Sequence, residues 1–279
     1  AAVVGIDKAK SQKETIYDPT CGSGSLLLKA HDFAKSSTGF DLAIYGQEMD
    51  NATAALARMN MWLHNAGTAE IENDNTLSNP MFRDRQTGGL RAFDYVVANP
   101  PFSVKSWMDG VDVAADPFGR FAYGTPPKKN GDYAFLLHIL ASLKSTGKGA
   151  VILPHGVLFR GNAEAEIRRN LVKQGFIKAI IGLPANLFYG TGIPACIILL
   201  DKEGAAARDS ILMVDASQGY LKSGAKNRLR ERDIHRIVST VVANREVAKY
   251  SRIVPLAEIS DPANDFNLNL ARYINTSEP

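Results

Sequence analysis

Cysteine is scarce in this chain: its 279 residues contain two, Cys21 and Cys196. That excludes a disulfide framework and fits a reducing cytosol. Long hydrophobic runs are missing as well. The longest, at 195–200, has the length of a strand, far short of the roughly 20 residues that span a bilayer. Neither charge sign dominates, with 32 Lys+Arg against 29 Asp+Glu and a net charge of +3. A protein that holds nucleic acid by charge alone is far more basic. The 45% hydrophobic content excludes an acidic disordered chain. Five histidines are dispersed without ligand spacing, so no metal centre is expected. The opening Ala1-Ala2-Val3-Val4-Gly5 has no initiator Met, basic segment or full apolar segment, and does not read as a signal peptide. What remains is length and apolar content enough for one large domain or two small ones.

Short β-rich runs alternate with helical ones. Strands are predicted at 15–17, 42–46, 69–72, 93–98, 149–153, 176–182 and 195–200. Helices are predicted at 25–35, 51–64, 133–143 and 163–173, the last with Arg168, Arg169 and Lys173 where cations suit the helix dipole. This alternation predicts an α/β fold with a mostly parallel, seven-stranded, doubly wound sheet. A further strand at 210–216 and a helix at 233–243 follow, and 255–279 reads as polar and loop-like. Two Gly-, Pro-, Asp- and Asn-rich loops, 75–91 and 103–131, are long enough to expect function or disorder.

The chemistry gathers where strands end. After the first strand comes Asp18-Pro19-Thr20-Cys21-Gly22-Ser23-Gly24, opening a helix. Gly22 and Gly24 lack Cβ, so the backbone can turn sharply and a ligand can come close. The turn is neither the Gly-x-Gly-x-x-Gly fingerprint nor a phosphate loop, and a tight turn without ligand is its plain alternative. Glu48, ending the second strand, is placed to accept from ribose hydroxyls, and Asp74, ending the third, from an adenine amino group. Asn99-Pro100-Pro101-Phe102 ends the fourth. Two prolines fix two φ angles and remove two N–H donors. The Asn99 amide oxygen and Pro100 carbonyl can then converge on one amino group, with Phe102 as a stacking face. A rigid turn with a capping Asn is the bland reading.

These two motifs resemble S-adenosylmethionine-dependent amino-methyltransferases. Gly46-Gln47-Glu48-Met49-Asp50, 59–64, 153–161, 183–188 and Phe266-Asn267-Leu268-Asn269-Leu270-Ala271-Arg272-Tyr273 resemble the modification (M) subunit of type I restriction-modification systems. The resemblance implies a Rossmann-like methyltransferase fold and transfer of a methyl group to the N6 amino group of a flipped-out adenine in DNA. It implies that Asp18, Pro19, Thr20, Gly22, Ser23 and Gly24 hold the methionine part of S-adenosylmethionine, Glu48 its ribose and Asp74 its adenine. Asn99, Pro100 and Pro101 would form the target-amine site, Phe102 would stack on the base, and Phe188 is a candidate opposite wall. It also implies double-stranded DNA, a specificity (S) subunit and a restriction (R) subunit as partners, and a cytoplasmic, nucleoid-associated place in a bacterium or archaeon. The family's aromatic-Thr-Pro motif and N-terminal helical region do not precede Thr15, so the chain is expected to be a core from a longer subunit.

On this reading residues 1–203 form the catalytic core, and 204–279 an extension with an added strand, a basic helix and a polar tail. Lys222, Lys226, Arg228, Arg230, Arg232 and Arg236 cluster there. They read either as phosphate contacts or as a solvated face, the second slightly preferred. Lys105, Trp107, Lys128 and Lys129 in the loop after the tetrapeptide are the better DNA candidates. Cys21 reads as a packing residue rather than a nucleophile. Competing functions are methylation of protein glutamine or RNA guanine, and a non-catalytic scaffold. A nucleotide-dependent dehydrogenase lacks its fingerprint.

Overall fold

A computed structural model describes residues 1–275. The chain forms two compact units, Ala1–Val151 and Ile152–Pro279. In the first, β1 (Thr15–Asp18), β2 (Ala43–Glu48), β3 (Glu70–Asn73), β4 (Phe93–Ala98) and β5 (Leu143–Pro154, crossing the boundary) lie in the order β5-β4-β1-β2-β3. All four pairings are parallel. The chain runs outward from β1 through β2 and β3, then returns to β4 on the other side of β1. That reversal leaves a crevice at the carboxyl ends of β1 and β4, the place where open α/β sheets take ligands.

The helices are set by local chemistry. In α1 (Ser25–Thr38), Gly39 ends the helix at φ 78 with its N–H on the Lys35 carbonyl. In α2 (Asn51–Leu63), Asp50 caps the start by accepting from the Thr53 N–H at 2.8 Å. Ala54, Ala57 and Met61 are the buried residues of α2, whereas Leu56, Met59, Trp62 and Leu63 are exposed. The small side chains face inward because α2 crosses the glycine turn closely: a Cβ at Gly24 would lie 2.5 Å from Met61 Cε. In α3 (Asp132–Ala141), every residue from Asp132 to Leu140 is buried, so no polar stripe marks its face.

The loop at 103–131 is ordered without helix or strand. It carries its own small core: Trp107 packs with Leu77, Ala134 and Phe135, and Val104, Met108, Val111, Val113 and Phe121 close around them. Trp107, expected on a DNA-facing surface, is 1% exposed and donates its indole N–H to the Pro127 carbonyl at 2.7 Å. It is therefore a core residue; Lys105, Lys128 and Lys129 remain exposed.

In the second unit β6 (Ile177–Gly182), β7 (Ala195–Asp201), β8 (Ser210–Asp215) and β11 (Ser251–Pro255) lie in the order β11-β8-β6-β7. β6 and β8 are parallel, and the outer pairs are antiparallel. A hairpin, β9 (Leu221–Ser223) and β10 (Lys226–Arg228), precedes α5 (Glu231–Val242); α4 (Ala163–Lys173) and α6 (Leu256–Ile259) complete the unit. Among the described residues the two sets hold nine strands, two beyond the seven expected. β8 is the strand anticipated in the extension, and β11, which ends where the stretch read as loop-like begins, is not. The boundary expected at 203/204 falls between β7 and β8, inside this unit.

Arg168 is 3% exposed and donates to the carbonyls of Phe266, Val157 and Arg160. One expectation changes here. The tail is not wholly polar: Phe266, Leu268, Leu270 and Tyr273 are buried, and a Cβ on Gly182 would meet Leu270 Cδ1 at 2.5 Å. The last part of that stretch, 276–279, lies outside the described residues.

Candidate active site

Strand order brings most of the expected site onto one edge of the first unit. Asp18 pairs with Gly46, and Glu48 with Asn73, so the ends of β4, β1, β2 and β3 stand side by side with Asn99, Asp18, Glu48 and Asp74 at their tips. Phe188 belongs to the other unit, half-buried between β6 and β7, with its carbonyl accepting from Lys226 Nζ at 2.6 Å.

The glycine turn is wired by its own backbone. Cys21 donates its N–H to the Gln47 carbonyl, and Gly24 donates to the Cys21 carbonyl at 2.8 Å. Asn60 of α2 donates to the Ser23 carbonyl at 2.8 Å. Gly22 (φ 55) and Gly24 (φ 80) occupy the left-handed region that other residues avoid. A Cβ at Gly22 would meet nothing within 4 Å, so open space lies before the turn. Cys21 is buried, and burial pushes its thiol pKa up, which keeps it a thiol rather than a nucleophile.

The carboxylates are pinned. Glu48 Oε2 accepts from the Gly22 N–H at 3.0 Å and Oε1 from the Asp50 N–H at 2.9 Å. Asp74 accepts from the Asn75 N–H and from Asn79 Nδ2, both at 2.7 Å. Each ionised oxygen keeps a further lone pair. Asp18 is 2% exposed, and its Oδ1 accepts from Thr20. Burial pushes its carboxyl pKa up to about 7 against the restraint of the Thr20 bonds, with the nearby Glu48 charge adding to the rise. It has no ion pair among the described residues. A buried carboxyl without a cation beside open space fits a ligand carrying an ammonium group.

At the tetrapeptide the acceptors are unspent. Asn99 is exposed and Pro100 buried; neither the Asn99 amide nor the Pro100 carbonyl has a hydrogen-bond partner among the described residues. Phe102 is half-exposed. The segment is held from behind: Ser103, at φ 53, donates its N–H to Oδ1 of Asp132 at 2.7 Å, and Asp132 is fully buried.

The comparisons with known proteins bear on this edge. The model of the family described as N-6 DNA Methylase matches residues 2–279.

The chain belongs to the N-6 DNA methylase family.

It is similar to the MjaVII methylase subunit, a type I restriction enzyme component of Methanocaldococcus jannaschii: 33% identical, covering 93% of this chain and 45% of that one. Similarity to the HindI methylase subunit of Haemophilus influenzae is also 33%, over 94% of this chain and 59% of that one. The crystal structure of the type I restriction-modification methyltransferase subunit from Streptococcus thermophilus superposes with a TM-score of 0.83. It is 35% identical, covering 98% of this chain and 57% of that one. This N-6 DNA methylase chain thus has a methyltransferase fold and spans about half the length of the curated relatives it matches.

Several residues of the edge escape sequence reasoning. Gln47 is fully buried in β2; its amide donates to the Asp74 and Asn79 carbonyls and accepts from the Met81 N–H, setting the loop that carries Asp74. A polar residue within an apolar strand was the available signal. Arg120 grips Asp116 through two nitrogens, and both side chains are buried. Its Nη1 also reaches the Thr76 carbonyl at 3.5 Å, and the Thr76 hydroxyl donates to the Pro19 carbonyl. The same Nη1 lies 3.4 Å from Nδ1 of His138, whose Nε2 is 3.2 Å from the Tyr17 hydroxyl. Arg is a donor without acceptors, so Nδ1 accepts and the ring proton sits on Nε2. Burial, then the Arg120 charge, lowers the His138 pKa to about 3, so the ring is neutral. Among the described residues no group of three or more His, Cys, Asp or Glu is arranged to hold a metal, and no helix is long and apolar enough to cross a membrane.

Proposed function

We propose that this chain is the catalytic core of a type I modification subunit, methylating the N6 amino group of adenine in double-stranded DNA. The observation that carries the reading is the pair of unpartnered acceptors, Asn99 and Pro100, at the end of β4 beside the glycine turn at the end of β1. An exocyclic amino group has two protons to give, and two acceptors fixed by consecutive prolines receive both.

S-adenosylmethionine, when bound, supplies an electrophilic methyl group on a sulfonium. The chain fits it: Asp18 offers a buried carboxylate for the ammonium of its methionine part, beside Pro19, Thr20 and Ser23. Gly22 and Gly24 allow close approach, Glu48 meets the ribose hydroxyls and Asp74 the adenine edge. Asn99 and Pro100 draw the target amino protons toward oxygen. They favour the rehybridised nitrogen and the positive charge that builds on it, so their hydrogen bonds strengthen as the reaction proceeds. Pro101 stiffens the turn, and Phe102 stacks on the base. A base inside a duplex is out of reach, so it must flip. Phe188 is proposed as a second stacking face. DNA, S and R subunits, and a cytoplasmic site at the nucleoid are proposed from the relatives' role as type I methylase subunits.

The test is transfer of a labelled methyl group to duplex DNA by the chain alone and with the S subunit, against RNA and a glutamine-bearing protein. Label at N6 of adenine, lost in Asn99→Ala, is expected. Label on RNA or protein alone overturns the reading, and so does an Asn99→Ala variant as active as the parent.

A further inference from the structure

The second unit contains a cavity of about 580 Å³. Its walls are the end of β8 at Asp215, the first turns of α5, and the segment before β11 that ends in Lys249 and Tyr250. The basic cluster seen in the sequence is sorted here by its partners. Lys226 is spent on the Phe188 and Thr191 carbonyls, and Arg230 on both oxygens of Asp233 at 2.7 and 3.0 Å. Arg232, Arg236 and Lys249 have no ion pair and no side-chain hydrogen bond among the described residues, and all three line the cavity.

Arg236 is presented in a particular way. Its guanidinium carbon lies 3.8 Å from the ring centroid of Tyr250, which is 7% exposed and fixed by accepting the Asp215 N–H at its carbonyl. Contact with the ring occupies the face of the guanidinium and leaves its edge of N–H donors open, the geometry that takes a phosphate in a fork. Arg232 stands one turn earlier, and i,i+4 spacing sets such side chains about 5–6 Å apart at Cβ. Lys249 joins the lining from the segment before β11, at φ 59, a conformation ordinarily left to Gly or Asn. Four cations face two carboxylates in the lining, one of which Arg230 already neutralises.

We propose that this cavity is a phosphate-binding site for a nucleic-acid strand, with Arg232 and Arg236 on successive phosphates and Lys249 closing on them. The volume exceeds that of a lone phosphate and suits a stretch of sugar-phosphate backbone. The cluster is thus not uniform: Arg232 and Arg236 bind together with Lys249, Lys226 and Arg230 are spent on the fold, and Lys222 and Arg228 are exposed outside the lining. The site rests on the reading of the chain as a DNA methylase core and adds a grip outside the first unit.

The test uses the 279-residue chain and a fluorescent duplex, followed by anisotropy from 50 to 200 mM salt (about the range over which phosphate contacts dominate). The triple variant R232Q/R236Q/K249Q is expected to bind at least about tenfold more weakly. Its slope of log K against log salt should be shallower by about 2–3, since each phosphate contact contributes about 0.9. If that variant loses its fold by thermal melting, R232Q/K249Q, which spares the Tyr250 stack, should still lower the slope by about 2. Parental affinity and slope in the variants overturn the site, as does a chain that binds no duplex. Deoxyadenosine monophosphate or inorganic phosphate binding the parent but not the triple variant, with duplex binding equal in both, overturns it in favour of a small anion. Asn99→Ala separates the two readings. Duplex binding lost in the triple variant while neither parent nor Asn99→Ala methylates DNA keeps the site and removes the methylase reading; methylation with an unchanged salt slope does the reverse.

Discussion

The glycine-turn side of the edge and the tetrapeptide side differ in how their groups are held. Around Gly22 the carboxylates of Glu48 and Asp74 are already tied into the chain: Glu48 holds the Gly22 and Asp50 amides, and Asp74 holds Asn75 and Asn79. At the end of β4 the acceptors of Asn99 and Pro100 are unspent, and the restraint comes from behind, through Asp132 on the Ser103 amide. On the proposed reading, the pocket for a ligand that must be held uses pre-paired carboxylates, and the pocket for a group that must change charge keeps its acceptors for that moment.

The comparison breaks most visibly at Asn99. Asn99→Ala is expected to lower the rate of methyl transfer by about 10²–10³-fold, the scale of losing one preorganised electrostatic partner, with cofactor binding by calorimetry unchanged. Weakened cofactor binding would show that the two sides are not separate. Glu48→Ala should do the converse, weakening cofactor binding about tenfold or more through loss of charge-assisted hydrogen bonds, with the tetrapeptide intact. Asp132→Ala leaves the Ser103 amide unpaired. It is expected to lower kcat by roughly tenfold, or about 1.4 kcal/mol, at an unchanged KM for cofactor, and Asp132→Asn, which keeps an acceptor, should restore most of it. A merely structural role would lower the melting temperature of both variants without that split.

The smallest effect is a pH dependence. Asp18 titrates near 7 in the fold against an ordinary value of 3.8. The folded chain therefore keeps a neutral carboxyl where the unfolded chain is already ionised. The stability this provides is complete below about pH 4 and is lost as pH rises through 7. The melting temperature of the ligand-free chain should fall between about pH 4 and 7, and Asp18→Asn should flatten that fall. A bound cation would favour the ionised form, so cofactor affinity should rise over the same interval in the parent and not in the variant.

What was legible in the sequence was local. The glycine turn, Glu48 and Asn-Pro-Pro-Phe each announce themselves within a few residues of a strand end, and a parallel sheet then aligns strand ends without further instruction. What was hidden acts over distance. Asp132 meets Ser103 across 29 residues, Arg120 meets Thr76 across 44, and Thr76 meets Pro19 across 57. None has a periodic signature. Trp107 lies in a loop whose core follows neither helical nor strand spacing, so its burial had no pattern to betray it. On α2 the bulk of a side chain does not mark the buried face: close passage over Gly24 puts Ala54, Ala57 and Met61 inward and leaves Leu56, Met59 and Trp62 outside. The tail read as polar for a like reason: composition does not reveal that Phe266, Leu268, Leu270 and Tyr273 are buried, or that the Arg168 guanidinium is spent on three carbonyls.

Thr76 touches both sides at once: its hydroxyl is on the Pro19 carbonyl of the glycine turn, and its own carbonyl receives Arg120 from the loop beyond the tetrapeptide. Occupancy of one side that shifts this residue changes the free energy of occupying the other, and thermodynamic linkage requires the effect to be equal in both directions. If cofactor tightens the hold on the target base by some factor, the base tightens the hold on cofactor by that same factor. Thr76→Val, which removes the hydroxyl and keeps the shape, should bring that factor toward one.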